Sequence, residues 1–194
     1  MTPLLDRRPR LGLALLFAAV AIVAAATVAP SLGGEFLNWD DDRFILENER
    51  VDELGLDNLA WAFSGVRFEA YQPLHLVSYM IDGEIWPDRP AGYRAHNLLL
   101  YLVAVALLLA LLMRLGLEPL PAAVGTLLFA VAPYHAASVA WIAGRKDVLA
   151  LALALAAWHA HLSSYDGSRA RAAGFSTLAT AVFAAALLAK SAAL

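Results

Sequence analysis

Between Leu11 and Gly34 the chain carries no acid, lysine or arginine. That run is long enough to cross the ~30 Å hydrocarbon core of a bilayer as one helix. In hydrocarbon every backbone polar group must be satisfied internally, so such a segment has to be helical. The rest of the chain agrees with a membrane setting: 61% of its residues are hydrophobic and 16% are charged, against roughly 25% charged in ordinary soluble domains. Arg7, Arg8 and Arg10 precede the run. The positive-inside rule therefore places the N-terminus in the cytoplasm. A signal peptide with a cleavage site at Ala24-Ala25-Ala26 is the rival reading, but the run exceeds the ~7–15 residues of a signal core. With no cysteine, disulfides are excluded and the redox compartment is not legible.

The charges are segregated. Thirteen of the seventeen acids lie between Glu35 and Asp88, with Arg43, Arg50 and Arg67 as the only basic residues in that stretch. No basic tract points to nucleic acid. Further charge-poor stretches follow, and the chain reads as an all-α integral membrane protein with about five transmembrane helices. The expected spans are 11–32, 93–113, 119–134, 147–164 and 172–190. A large outer loop, 33–92, joins the first to the second and carries short interfacial helices. Within that loop 47–61 reads as a short helix, and Pro73 sits at a plausible first helical position. The segment after it, interrupted by Asp82 and Glu84, reads as an amphipathic helix on the membrane surface. Alternating topology puts Arg114, Arg169 and Arg171 inside, and the acidic loop outside. Arg145 and Lys146 fall outside against the trend, which either weakens this topology or marks them as candidate functional residues. The chain stops at Leu194 as the fifth span reaches the outer face, which reads as an N-terminal portion of a longer protein. There is no internal repeat.

Just beyond the first span stands Asn38-Trp39-Asp40-Asp41-Asp42. Carboxylates this close resist full ionisation unless a cation or hydrogen-bond donors neutralise them. The group suits a general base or a cation site, and equally a solvated turn. Arg145 and Lys146 suit a phosphate clamp, or interfacial anchoring on lipid head groups. Arg94 and Lys190, at predicted outer helix ends, suit the same phosphate role. His135 and His96 also fall at outer helix ends, and Trp39, Trp61, Tyr71, Trp86 and Trp141 near the outer interface. An aromatic belt accounts for these rings, as does stacking on a sugar. Acids, lysines and arginines avoid the middle of the spans, which speaks against a transporter.

Several pieces, in order, carry a resemblance: Trp39-Asp40-Asp41 after the first span, Gly55 to Phe63, Gln72-Pro73-Leu74, Gly92-Tyr93-Arg94, Asn97 to Leu100, Ser138 to Asp147, and Ala189-Lys190-Ser191. Together they resemble the N-terminal part of the transmembrane, tetratricopeptide-repeat O-mannosyltransferases of the GT-C superfamily. The repeat domain is absent from these 194 residues. The resemblance implies a sugar, mannose in the animal relatives, transferred from a polyprenyl-phosphate donor to a protein hydroxyl on the outer face of the membrane. For this chain that means a multi-pass protein of the cell inner membrane. It implies Asp40 or Asp41 as the catalytic acid. Arg145, Lys146, Arg94 and Lys190 would bind the donor phosphate, and Asp147, His135, Trp141 and Tyr71 the substrates. The partners implied are the lipid-linked sugar, an acceptor protein and the bilayer. GT-C families differ in metal need, so a divalent cation is left open. The chain departs from the family at Ala132 and Ala137, where a histidine and a glutamate are usual, and at Arg94, where many members have histidine. A non-catalytic membrane scaffold, or a fragment without activity, is the alternative.

Overall fold

The computed structural model describes residues 7–165 and 168–191. The side chains of Arg7, Arg8 and Arg10, and the end at Leu194, lie outside what is described. Apart from one isolated antiparallel bridge between Arg67 and Ala70, the described residues are helix, turn and loop. The long helices are α1 (Arg7–Val28), α4 (Pro90–Arg114), α7 (Arg145–Ser163) and α8 (Arg169–Ala189). Between α1 and α4 lie the short α2 (Leu56–Phe63) and α3 (Pro73–Ile85); between α4 and α7 lie α5 (Pro119–Ala130) and α6 (Pro133–Ala140). Proline begins α3, α4, α5 and α6, where its missing N–H breaks no helical hydrogen bond.

Three stretches are long and apolar enough to cross a membrane: Leu11–Gly33, Pro90–Arg114 and Arg169–Ala189. A fourth appears if α5 and α6, bent by 55°, count as one span. The straight span expected at 119–134 is thus broken, because Pro133 ends the run and starts a new helix in another direction. The stretch expected at 147–164 forms α7. That helix is less apolar than the other long ones because Lys146, Asp147, His159 and His161 occupy its ends.

Core residues recur at helical spacing. Val20, Ala24 and Val28 of α1 meet Tyr101, Val105 and Leu109 of α4 and Ala122, Ala123 and Ala130 of α5. Small residues let these backbones approach closely. Outward, α1 and α5 expose Leu11, Leu15, Ile22, Leu120 and Leu128, an apolar surface suited to lipid.

The 33–92 segment folds around a second core of Phe44, Ile45, Val51, Leu76, Tyr79 and Met80, which reaches Tyr93, Ile142 and Ala143. The helix expected over 47–61 is instead a π turn at Asp42–Leu46, a 3₁₀ turn at Glu49–Val51, and α2. The helix expected as an amphipathic one on the membrane surface, α3, is enclosed by the protein along much of its length. His75, Leu76, Ser78, Tyr79, Met80 and Asp82 are all buried, because the polar ones find partners inside the protein. Gly83 explains how close the packing is: a Cβ there would lie 2.2 Å from the Val51 carbonyl oxygen.

Candidate functional site

The C-terminal ends of α1, α6 and α8 meet the N-terminal ends of α4 and α7 at one end of the bundle, under the 33–92 segment. Arg145, the first residue of α7, is fully buried. Its Nε donates to Asn97 Oδ1 at 2.6 Å, Nη1 to the Ser78 carbonyl at 3.0 Å and Nη2 to the Tyr93 carbonyl at 2.8 Å. It is ion-paired with Asp82 and stands over the Tyr79 ring at 4.7 Å. The other oxygen of Asp82 faces His96 Nδ1 at 2.6 Å. Asn97 in turn donates from Nδ2 to the carbonyls of Val139 and Trp141, both at 3.2 Å. The turn between α6 and α7 is therefore tied to α4 and α3 by one hydrogen-bonded layer. Gly144 lets that turn reverse tightly, since a Cβ there would lie 2.7 Å from the Ser138 carbonyl oxygen.

His75 and Tyr79 line the same layer. The Tyr79 hydroxyl donates to the Ile142 carbonyl at 2.9 Å and lies 2.7 Å from His75 Nε2. Nε2 is then the protonated nitrogen, and Nδ1 is left without a partner. Burial, then the charges of Arg145 and Lys146, lowers the His75 pKa well below its ordinary value, so the ring stays neutral. Burial raises the pKa of Tyr79.

Asp41 is fully buried, and both of its oxygens are used. Oδ2 accepts from Leu37 N and Oδ1 from Ala143 N, each at 3.0 Å. Burial raises its pKa, and Asp40 adds to that; the two backbone N–H groups and Arg94 pull the other way. Arg94 is itself enclosed, with its guanidinium donating to the carbonyls of Ala140, Gly34 and Glu35. Two of the four residues expected to bind phosphate, Arg94 and Arg145, are therefore internal ties in this structure. Their side chains have no face open to a ligand.

Other expected residues are open. Asp40 is half-buried, with no hydrogen bond or ion pair to another described residue. Asp42 Oδ1 accepts from Arg43 N. The three carboxylates do not converge, and among the described residues no group of three or more His, Cys, Asp or Glu is placed to hold a metal ion. Trp39 is 77% exposed and stands 6.4 Å, ring to ring, from Trp141. The Lys146 ammonium lies over the rings of Trp141 (5.9 Å) and Phe44 (5.7 Å) and has no ion pair among the described residues. Trp39, Trp141 and Lys146 thus form a ledge of two indoles and a cation in which Trp39 is exposed and Trp141 and Lys146 are half-buried.

Beside it, a cavity of about 290 Å³ opens between α4, α6, α7 and α8. Lys190 and Asp147 form an ion pair in its wall. Ser138 donates weakly to Asp147 at 3.4 Å, and His135 and Tyr134 stand at its rim with Tyr101, Val148 and Leu151 below. His135 stacks on Phe129 at 4.0 Å. Tyr71 is apart from both features; its hydroxyl donates to the Phe63 carbonyl. So the fold brings Lys190, Asp147 and His135 together, gathers Trp141 and Lys146, and leaves Tyr71 aside.

Asp82 is the residue that sequence reasoning passed over, reading it as an interruption of an apolar helix. A signal was present. His75, Ser78 and Asp82 recur at i, i+3 and i+7, which is one helix face. A polar stripe opposite an unplaced arginine reads equally as a buried seam.

No family model matches the chain, and no solved structure matches it. Among curated proteins it is similar to the Protein O-mannosyl-transferase TMTC1 of Mus musculus, with 31% identity over 179 residues. That match covers 83% of this chain and 18% of the mouse protein.

Proposed function

We propose that this chain is the sugar-transfer portion of a membrane glycosyltransferase of GT-C type. It moves a sugar, mannose by analogy with the mouse relative, from a polyprenyl-phosphate donor to a protein hydroxyl. In this reading the chain crosses the inner membrane five times, with α7 and the bent α5–α6 pair as two of the spans and the N-terminus in the cytoplasm. The gathered helix ends then face outward. The observation that carries the reading is the group at that end: the Asp40 carboxylate and the Lys146 ammonium, neither paired with a described residue, Lys146 lying over the Trp141 indole, and the Asp147–Lys190 cavity with its apolar floor. The similarity to an O-mannosyl-transferase supports it.

Each residue then has a separable task. Asp40 takes the proton of the acceptor hydroxyl as its oxygen forms the new bond to the sugar's C1. The C1–O bond to phosphate breaks, and the polyprenyl phosphate leaves with the electron pair. Lys146 and Lys190 stabilise the charge that develops on it. The Trp39–Trp141 ledge offers a stacking face to the sugar, and the apolar floor takes the first part of the lipid. Asp41, Arg94 and Arg145 hold these groups in place without touching substrate.

The test is the full chain in nanodiscs, given polyprenyl-phosphate mannose and a threonine-containing peptide. Transfer is expected, falling about 10²–10⁴-fold in Asp40→Asn, the usual range for a lost general base. A second reading, a scaffold that binds the donor without transferring it, is motivated by the enclosure of Arg94 and Arg145. Donor binding with no transfer by the wild type favours it, and absence of both binding and transfer contradicts the two readings together.

A further inference from the structure

A second cavity, of about 260 Å³, lies away from the Trp39–Trp141 ledge, between the 45–52 segment and the corner joining α3 to α4. Asp52 and Asp88 line it, with Ile45 and Leu46 as an apolar wall. Neither carboxylate has an ion pair or a hydrogen bond to a described side chain. Arg50, near in sequence, is turned away onto Asn58. Partial burial, then the charges of Asp88, Glu49 and Glu53, raises the Asp52 pKa, so the negative charge here is uncompensated. A separate observation points into the same space. Tyr93 is 98% buried, given its 2% exposure. Its hydroxyl has no hydrogen-bond partner among the described residues, and the side chain lines this cavity within electrostatic reach of Asp52 and Asp88.

Two open carboxylates and a lone hydroxyl call for a ligand rich in N–H donors and positively charged. A metal ion fits poorly, because no three ligating side chains come together among the described residues. The cavity is smaller than the ~300–1,000 Å³ typical of drug-sized ligands, which suits a single side chain. Ile45 and Leu46 suit an aliphatic stem whose charged head reaches the acids. We propose that this cavity receives a lysine or arginine side chain of the acceptor polypeptide, and so selects which hydroxyls are presented to the bundle end. The identity of that polypeptide as an acceptor rests on the glycosyltransferase reading; the cation site does not.

The experiment measures fluorescence anisotropy of the full chain in nanodiscs with two labelled threonine peptides, identical except for a central arginine or its neutral analogue citrulline. The arginine peptide is expected to bind about tenfold more tightly, a difference of ~1.4 kcal/mol, and to lose that advantage as salt is raised. Asp52→Asn combined with Asp88→Asn should erase the preference, and Tyr93→Phe, which keeps the ring, should reduce it severalfold. Equal binding of the two peptides by the wild type overturns the proposal without any variant. A preference that survives in the double variant overturns it as well. No sugar donor is present, so failure here leaves the transfer reading standing. A preference retained by a protein that transfers no sugar removes only that reading.

Discussion

Arg145 meets Asp82 with both side chains at 0% exposure, whereas Lys190 meets Asp147 with 34% and 29% of the two side chains open. The pairs sit at the same end of the bundle and use the same charges, but their energetics differ. A buried pair repays its desolvation only when every remaining donor and acceptor is also satisfied. The two charged groups themselves meet that condition through Asn97, Ser78, Tyr93 and His96, while His75 Nδ1 at the edge of the layer is left without a partner among the described residues. An open pair gains little in stability and can exchange its partner for a ligand. In the proposed reading the layer is scaffold, and the cavity is where a ligand can enter.

The largest break in this comparison should come from Arg145→Gln. It leaves Asp82 buried without its cation, a loss of about 3–5 kcal/mol, visible as a collapse of the thermal unfolding midpoint in detergent. Asp41→Asn comes next. An amide cannot accept from Leu37 N and Ala143 N at once, so one buried N–H loses its partner at a cost of about 1–3 kcal/mol. Lys190→Gln should change the unfolding midpoint by less than the equivalent of about 1 kcal/mol, while weakening binding of polyprenyl phosphate; a destabilisation as large as that of Arg145→Gln would erase the distinction.

The smallest effect sharpens the picture at the acidic cavity. The folded pKa of Asp52 is raised, so its contribution to stability is fully present below the unfolded value near 3.8 and is lost as pH rises through the folded one. Asp52→Asn should then raise stability slightly at pH 7, within about 0.5 kcal/mol. The gain should vanish in a pH series of unfolding curves below about pH 4.

Much of the fold was legible from proline and charge. Pro73 marks a helix start and the charge-free run at 11–34 marks the first span, whereas Pro90 and Pro133, which read as the ends of segments, also begin helices in the structure. The number of spans was not legible, because hydropathy at 119–134 does not register that Pro133 redirects the chain. Adjacent letters also misled. Arg145 and Lys146 are neighbours in sequence, yet consecutive helical residues do not face the same way; one enters the core and the other reaches the indole ledge. Asp40 and Asp41 divide likewise. Only the amides of Leu37 and Ala143, one of them a hundred residues distant, decide which carboxylate is enclosed.

The division between those two carboxylates is the claim most directly open to measurement. Asp40→Asn and Asp41→Asn should be compared for both unfolding midpoint and sugar transfer. The account predicts that Asp40→Asn loses transfer with its midpoint unchanged, whereas Asp41→Asn lowers the midpoint and recovers transfer in proportion to the folded fraction at low temperature. A fully folded Asp41→Asn without transfer, beside an active Asp40→Asn, would contradict it.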